Sequence, residues 1–259
     1  MIRLAKLAVI FLMLTIPTLS FAWEQMYTCD TDTCNGYPRK KVSWPSSNVK
    51  FYVNQEGTYQ MELYDIISIT MVSLEEWTRP EISSLRPSYE GFTTQTKGYD
   101  LKARENQNVI VFCDETWRDS RSILALTTVT RNNVNGDILD ADIEINSVNH
   151  TFGICKGGEK TLFDFQNTLT HELGHAFGLN HSNVEGATMS PFTPEGDISL
   201  RTLGDDELEA LAVIYPPKDD SSCSAQPLKS TGFGSLLWIG LAFCAAAGIS
   251  YRKRKDHST

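Results

Sequence analysis

Positive charge is scarce in this chain. Over 259 residues, 23 Lys and Arg stand against 32 Asp and Glu, a net charge of −9 at pH 7. The deficit deepens in the middle: setting aside Arg3, Lys6, Lys229, Arg252, Lys253, Arg254, Lys255 and Asp256 leaves 16 bases against 31 acids, net −15. A surface that acidic repels phosphate and argues against a nucleic-acid partner. Six cysteines are too few for a fold built from disulfides. No internal repeat is present, so solenoids and propellers are excluded. A composition of 41% hydrophobic and 21% charged residues excludes disorder and suits one good-sized domain. Histidine is rarest of the titratable residues, with five in the whole chain, so any clustering of it is informative.

Long apolar runs occur only near the ends. Arg3 and Lys6 precede an apolar stretch over 7–14, and Ser20-Phe21-Ala22 places small residues at −3 and −1 before Trp23. This pattern predicts a secretory signal peptide over 1–22, its apolar stretch falling short of the ~20 residues a membrane span needs. Residues 233–251 carry no charge and meet the cluster Arg252-Lys253-Arg254-Lys255. That predicts a transmembrane helix over 233–251 with a basic cytoplasmic tail over 252–259, joined to the body by a polar stalk over 217–232. The tail also resembles the tripartite sorting signals of some bacterial surface proteins, with Ser221-Ser222-Cys223 as the candidate processing motif. The expectation is an exported monomer, either membrane-anchored with its body outside the cytoplasm or released by C-terminal processing.

Oxidising surroundings favour disulfides. Cys223 and Cys244 fall in the stalk and span, which leaves Cys29, Cys34, Cys113 and Cys155, with three possible pairings. Closeness favours Cys29–Cys34 inside an N-terminal extension over 23–48, with Cys113–Cys155 as the remainder and Cys223 odd.

The body over 49–216 reads as one α+β domain. Strands are expected at 49–53, 89–97, 109–113, 123–130 and 138–146. A helix should begin near Thr58, carry the stripe Leu63, Ile67, Met71 and Leu74, and stop at Arg79-Pro80. In the last strand Ala141, Ile143 and Ile145 alternate with Asp142, Glu144 and Asn146, which predicts a sheet with one packed and one solvated face. Two further helices are expected at 162–177 and 205–215.

The chemistry lies in His171-Glu172-Leu173-Gly174-His175-Ala176-Phe177-Gly178-Leu179-Asn180-His181. Residues 171 and 175 leave one helix face a turn apart, as two nitrogen ligands of a tetrahedral zinc ion require. Glu172 lies one step round, placed to act on water beside the ion rather than on the ion itself. Gly178 permits the left-handed turn that ends the helix and brings His181 back as third ligand. Three histidines leave a fourth position open, as a catalytic rather than structural zinc needs.

HELGHAFGLNH resembles the long zinc motif of the metzincin metallopeptidases. Ser182 after it, Met189 in Ala187-Thr188-Met189-Ser190-Pro191, and the closing stretch LGDDELEALAVIY over 203–215 are similar to the matrixin branch. The resemblance covers roughly 49–215. It implies a metzincin-like zincin fold: a twisted, mixed five-stranded sheet, an active-site helix and a small Met-turn subdomain. It implies a zinc endopeptidase acting on proteins or peptides, with Glu172 as general base and Met189 as a floor beneath the ligands. By the same resemblance Leu124, Ala125 and Leu126 belong to an antiparallel edge strand that pairs with substrate, and Pro191 and Phe192 wall the pocket for the residue after the cut bond. Some matrixins use a propeptide cysteine to block the zinc; Cys29 or Cys34 offers such a thiol, although a mutual disulfide is the simpler account. His150 alone is available for a second zinc, so that site is expected to be absent. Asn135, Asp137, Asp140 and Asp142 offer oxygens for calcium, or else form a solvated turn and an outward strand face. Two alternatives stay open: a zinc-containing surface binding module or pseudoenzyme without proteolysis, and a zinc hydrolase of a non-peptide bond.

Overall fold

The computed structural model describes residues 23–102 and 106–217. The signal peptide, nearly all of the stalk, the span, the basic tail, Cys223 and Cys244 lie outside the described residues. Among the described residues no helix is long and apolar enough to cross a membrane.

A small hairpin, β1 (Thr33–Cys34) and β2 (Tyr37–Pro38), precedes the body. The body then runs β3 (Asn48–Asn54), α1 (Leu63–Glu76), β4 (Arg86–Thr93), β5 (Asn108–Phe112), β6 (Ala125–Arg131), β7 (Ile138–Ile145), β8 (Phe152–Gly153), β9 (Phe163–Asp164), α2 (Phe165–Ala176) and α3 (Asp205–Ile214). The main sheet has the order β4-β3-β5-β7-β6. Its pairs are parallel except β6, which runs antiparallel to β7 and forms an edge. This is the mixed five-stranded sheet of an α+β domain that the zinc-motif resemblance implies.

Helices α1 and α2 bury one face of the sheet through Phe51, Ile66, Trp77, Ile143, Phe165, Leu169, Leu173 and Phe177, all fully buried. Helix α1 starts at Leu63 rather than near Thr58, and its buried face is Ile66, Ile69, Thr70, Ser73 and Leu74. Of the expected stripe only Leu74 belongs to that face; Leu63 and Ile67 are half-buried and Met71 is 54% exposed. Trp77 decides the rotation: it continues the buried row and donates its indole N–H to the Thr170 carbonyl at 3.0 Å.

Strand β7 departs further from expectation. Asp140, Asp142, Glu144 and Asn146 are buried, so the strand has no solvated face. Lys97 and Gly98 cover it: Asp142 accepts from the backbone N–H of Gly98 at 2.6 Å and of Val109 at 2.9 Å, and Glu144 pairs with Lys97 at 2.5 Å. The calcium set is thereby divided. Asp140 and Asp142 lie within the sheet, whereas Asn135 donates to Asp137 at 2.6 Å in an exposed turn.

Cys29 and Cys34 form a disulfide with Cα atoms 5.7 Å apart. The expected Cys113–Cys155 bridge is not formed; both are free thiols. Each sulfur faces its own partner, Cys113 the Glu144 carboxylate at 3.7 Å and Cys155 the Leu162 carbonyl at 3.6 Å. Burial, reinforced by neighbouring carboxylates, pushes both thiols up to about 11.

Candidate active site

Helix α2 is fixed at its start by Asp164, whose carboxylate caps the N–H of Asn167 at 2.9 Å. Arg201 grips the same carboxylate through Nε at 2.8 Å and Nη2 at 2.5 Å. Two turns on, His171 and His175 share one helix face. The chain leaves the helix through Gly178, whose φ of +91° suits glycine and at which a Cβ would meet the Val42 carbonyl oxygen at 2.5 Å. His181 then comes back beside the pair. One ligand atom from each of the three histidines lies within 4.8 Å of the others. It is the one such His, Cys, Asp or Glu cluster among the described residues.

The rings are oriented for a metal. His171 Nδ1 is 2.8 Å from the Thr188 carbonyl and His175 Nδ1 is 2.8 Å from the Leu179 carbonyl. Carbonyls only accept, so each Nδ1 carries the proton and each Nε2 turns a lone pair inward, as zinc-bound histidines do. His175 Nε2 and His181 Nε2 approach to 3.2 Å. Burial, followed by repulsion from a charged His175, pulls His171 down to about 3 and lowers His181, which favours the neutral, ligating form of those two rings. The donor set and tautomers fit a zinc ion.

Met189 is fully buried beneath this group, against Gly174 and Trp77. Its loop is tied by Ser182 N–H to the Met189 carbonyl at 2.8 Å and by Met189 N–H to the Glu207 carboxylate at 2.9 Å. Glu172 is buried; burial raises its carboxyl, partly opposed by His175 and by a hydrogen bond from Thr127.

A cleft of about 840 Å3 runs past the histidines. Leu124, Ala125, Leu126 and Thr127 line one wall; Pro191, Phe192 and Thr193 line the other. Phe192 is 74% exposed at the rim. The three histidines, Glu172 and both sets of expected wall residues therefore meet in one cleft, with Met189 beneath. Other contributors have no place in the motif: Thr127, the supports Thr188 and Glu207, and a strap from the N-terminal extension. In that strap Met26 N–H donates to the Gly178 carbonyl and Asn180 N–H to the Glu24 carbonyl, both at 2.8 Å, so the extension braces the loop carrying His181. Glu207 has a visible signal, an acid at the third position of a helix start; the strap has none.

A helix bearing two ligands, a glycine turn returning the third, and a buried methionine under them on a mixed five-stranded sheet define the metzincin class of zincins. The matrixin family model matches residues 44–216. The chain belongs to the matrixin family. It is 41% identical over 58 residues to matrix metalloproteinase-16 of Homo sapiens and of Rattus norvegicus, covering 22% of this chain and 10% of each of those proteins. It is 35% identical over 85 residues to Metalloendoproteinase 5-MMP of Arabidopsis thaliana, covering 31% of this chain and 23% of that protein. The chain thus spans about a tenth of the length of the first two relatives.

Proposed function

We propose that this protein is an exported zinc endopeptidase that hydrolyses peptide bonds in protein or peptide substrates. The observation that carries the reading is the convergence of His171, His175 and His181 beside the buried carboxylate of Glu172. The three histidines hold the zinc, which when bound supplies a Lewis acid for water and carbonyl activation. Glu172 accepts the proton of the attacking water and delivers it to the leaving amine. Burial raises its carboxyl, which makes it a stronger proton acceptor than an exposed carboxylate. The substrate lies extended along the free edge of β6, its backbone adding to the sheet. Leu124, Ala125 and Leu126 supply that edge, Pro191 and Phe192 the wall of the pocket beyond the cut bond, and Met189 the floor. A purely structural zinc site has no use for Glu172, which disfavours a binding module without activity.

Export rests on the sequence pattern of residues 1–22, and membrane attachment on residues 233–255. N-terminal sequencing of mature protein should begin at Trp23.

The test of activity is cleavage of a mixed peptide library by zinc-loaded protein. Hydrolysis should vanish with a zinc chelator and in Glu172→Gln, which keeps stoichiometric zinc and an unchanged melting profile. Full zinc loading of the wild-type chain without any peptide cleavage would overturn the proposal, as would ordinary activity in Glu172→Gln.

A further inference from the structure

We infer that Thr127 is a positioning residue for Glu172: its hydroxyl holds one carboxylate oxygen and thereby presents the other to the reacting water. This rests on the reading of Glu172 as general base. Thr127 Oγ1 lies 2.6 Å from Glu172 Oε2 and 3.0 Å from the Glu172 carbonyl oxygen. The carbonyl and the carboxylate both accept, so the hydroxyl is the donor, and its single proton goes chiefly to the nearer carboxylate oxygen.

The physical need is plain. The terminal torsion of a glutamate is broad and roughly two-fold, so a carboxylate held by nothing swings among orientations. A base misplaced by a fraction of an ångström loses much of its effect. Threonine is stiff about χ1, and Thr127 sits on β6 in register opposite Ile143 of β7, so its hydroxyl is carried by a paired backbone. The bond to Oε2 leaves Oε1 for the water. Because Leu124, Ala125 and Leu126 on the same segment line the cleft wall, substrate backbone and base orientation are set by one rigid element. A hydroxyl that fixes the base affects the chemical step more than ground-state binding, since the carboxylate works only when the water is attacking.

The test compares Thr127→Val, Thr127→Ala and Thr127→Ser in the full zinc-loaded chain on one peptide substrate. Thr127→Val and Thr127→Ala should each lower kcat about tenfold or more, about 1.4 kcal/mol, at a KM within about twofold of wild type and with full zinc content. Thr127→Ser, which keeps the hydroxyl, should recover kcat to within about threefold. In a Glu172→Gln background, Thr127→Val should cause no further loss. A crystal structure of metal-free Thr127→Val should show the Glu172 carboxylate in more than one orientation. Wild-type kcat in Thr127→Val, an equal loss in Thr127→Ser, or a loss confined to KM or to zinc content would overturn the inference. The two readings separate cleanly: an active Glu172→Gln removes both, whereas an inactive Glu172→Gln beside a fully active Thr127→Val removes only the role of Thr127.

Discussion

Adding one methyl group at Gly174, next to His175 on the helix, probes how tightly the floor is fitted beneath the site. In an ordinary helix interior Gly→Ala is stabilising by about 1 kcal/mol. Here a Cβ would lie 3.0 Å from both Met189 Cε and Trp77 Cη2, and closer still to Met189 Sδ. Met189 and Trp77 are fully buried, so neither can yield toward solvent. Overpacking costs about 1–3 kcal/mol, and the close approach to Met189 Sδ puts this site in the upper part, about 2–3 kcal/mol, so a net loss of about 1–2 kcal/mol remains after the helix gain. For a domain of this size that lowers the melting temperature by roughly 2–8 °C. A shift of Met189 also drags its neighbour Thr188, whose carbonyl orients His171 at 2.8 Å. Loss of such a support weakens metal binding by about 10- to 100-fold. The assay is thermal unfolding of zinc-free protein by circular dichroism, paired with zinc affinity by competition. Met189→Ala alone should destabilise by about 2–5 kcal/mol through its cavity, but the double variant should be better than additive by about 1 kcal/mol or more. A Gly174→Ala protein melting at or above wild type would refute the argument.

Two further outcomes follow from the packing. Asp140 and Asp142 are buried together; burial, then the Asp142 charge, raises Asp140 to about 7, and burial raises Asp142. A carboxyl whose folded-state value is raised keeps its proton while the unfolded chain loses its own, so stability falls as pH climbs from about 4 toward neutral. Asp140→Asn should flatten that fall, stabilising at pH 8 relative to wild type by on the order of 1 kcal/mol or more, with little change at pH 4; melting curves across pH decide it, and an unchanged pH dependence counts against the argument. Tyr215 donates to the Phe177 carbonyl at 2.9 Å and accepts from Trp44 N–H at 3.1 Å, pinning the exit of α2. Tyr215→Phe should cost about 1–3 kcal/mol in chemical denaturation while leaving zinc stoichiometry intact, and a variant as stable as wild type would contradict this.

The metal site is legible in the chain because its geometry is mostly local. His171 and His175 meet by helical periodicity, Gly178 is demanded by a left-handed turn, and His181 follows three residues later. The succession of strands is legible through alternation and turn residues, and the Cys29–Cys34 pairing through proximity in sequence. Other features depend on contacts between segments far apart in the chain. Polar alternation in 138–146 has the pattern of a solvated face, yet Lys97 and Gly98, more than forty residues upstream, bind the carboxylates of Glu144 and Asp142 on it. Elimination pairs Cys113 with Cys155, but each thiol packs against a separate set of partners. The face that α1 buries is chosen by Trp77 reaching Thr170, the His181 loop is braced by Glu24 and Met26, and Thr127 reaches Glu172 across forty-five positions. What the sequence determined alone was which side chains can gather about a metal; the tertiary structure decided which surfaces are covered and how the Glu172 carboxylate is held, because burial and long-range hydrogen bonds have no period along the chain.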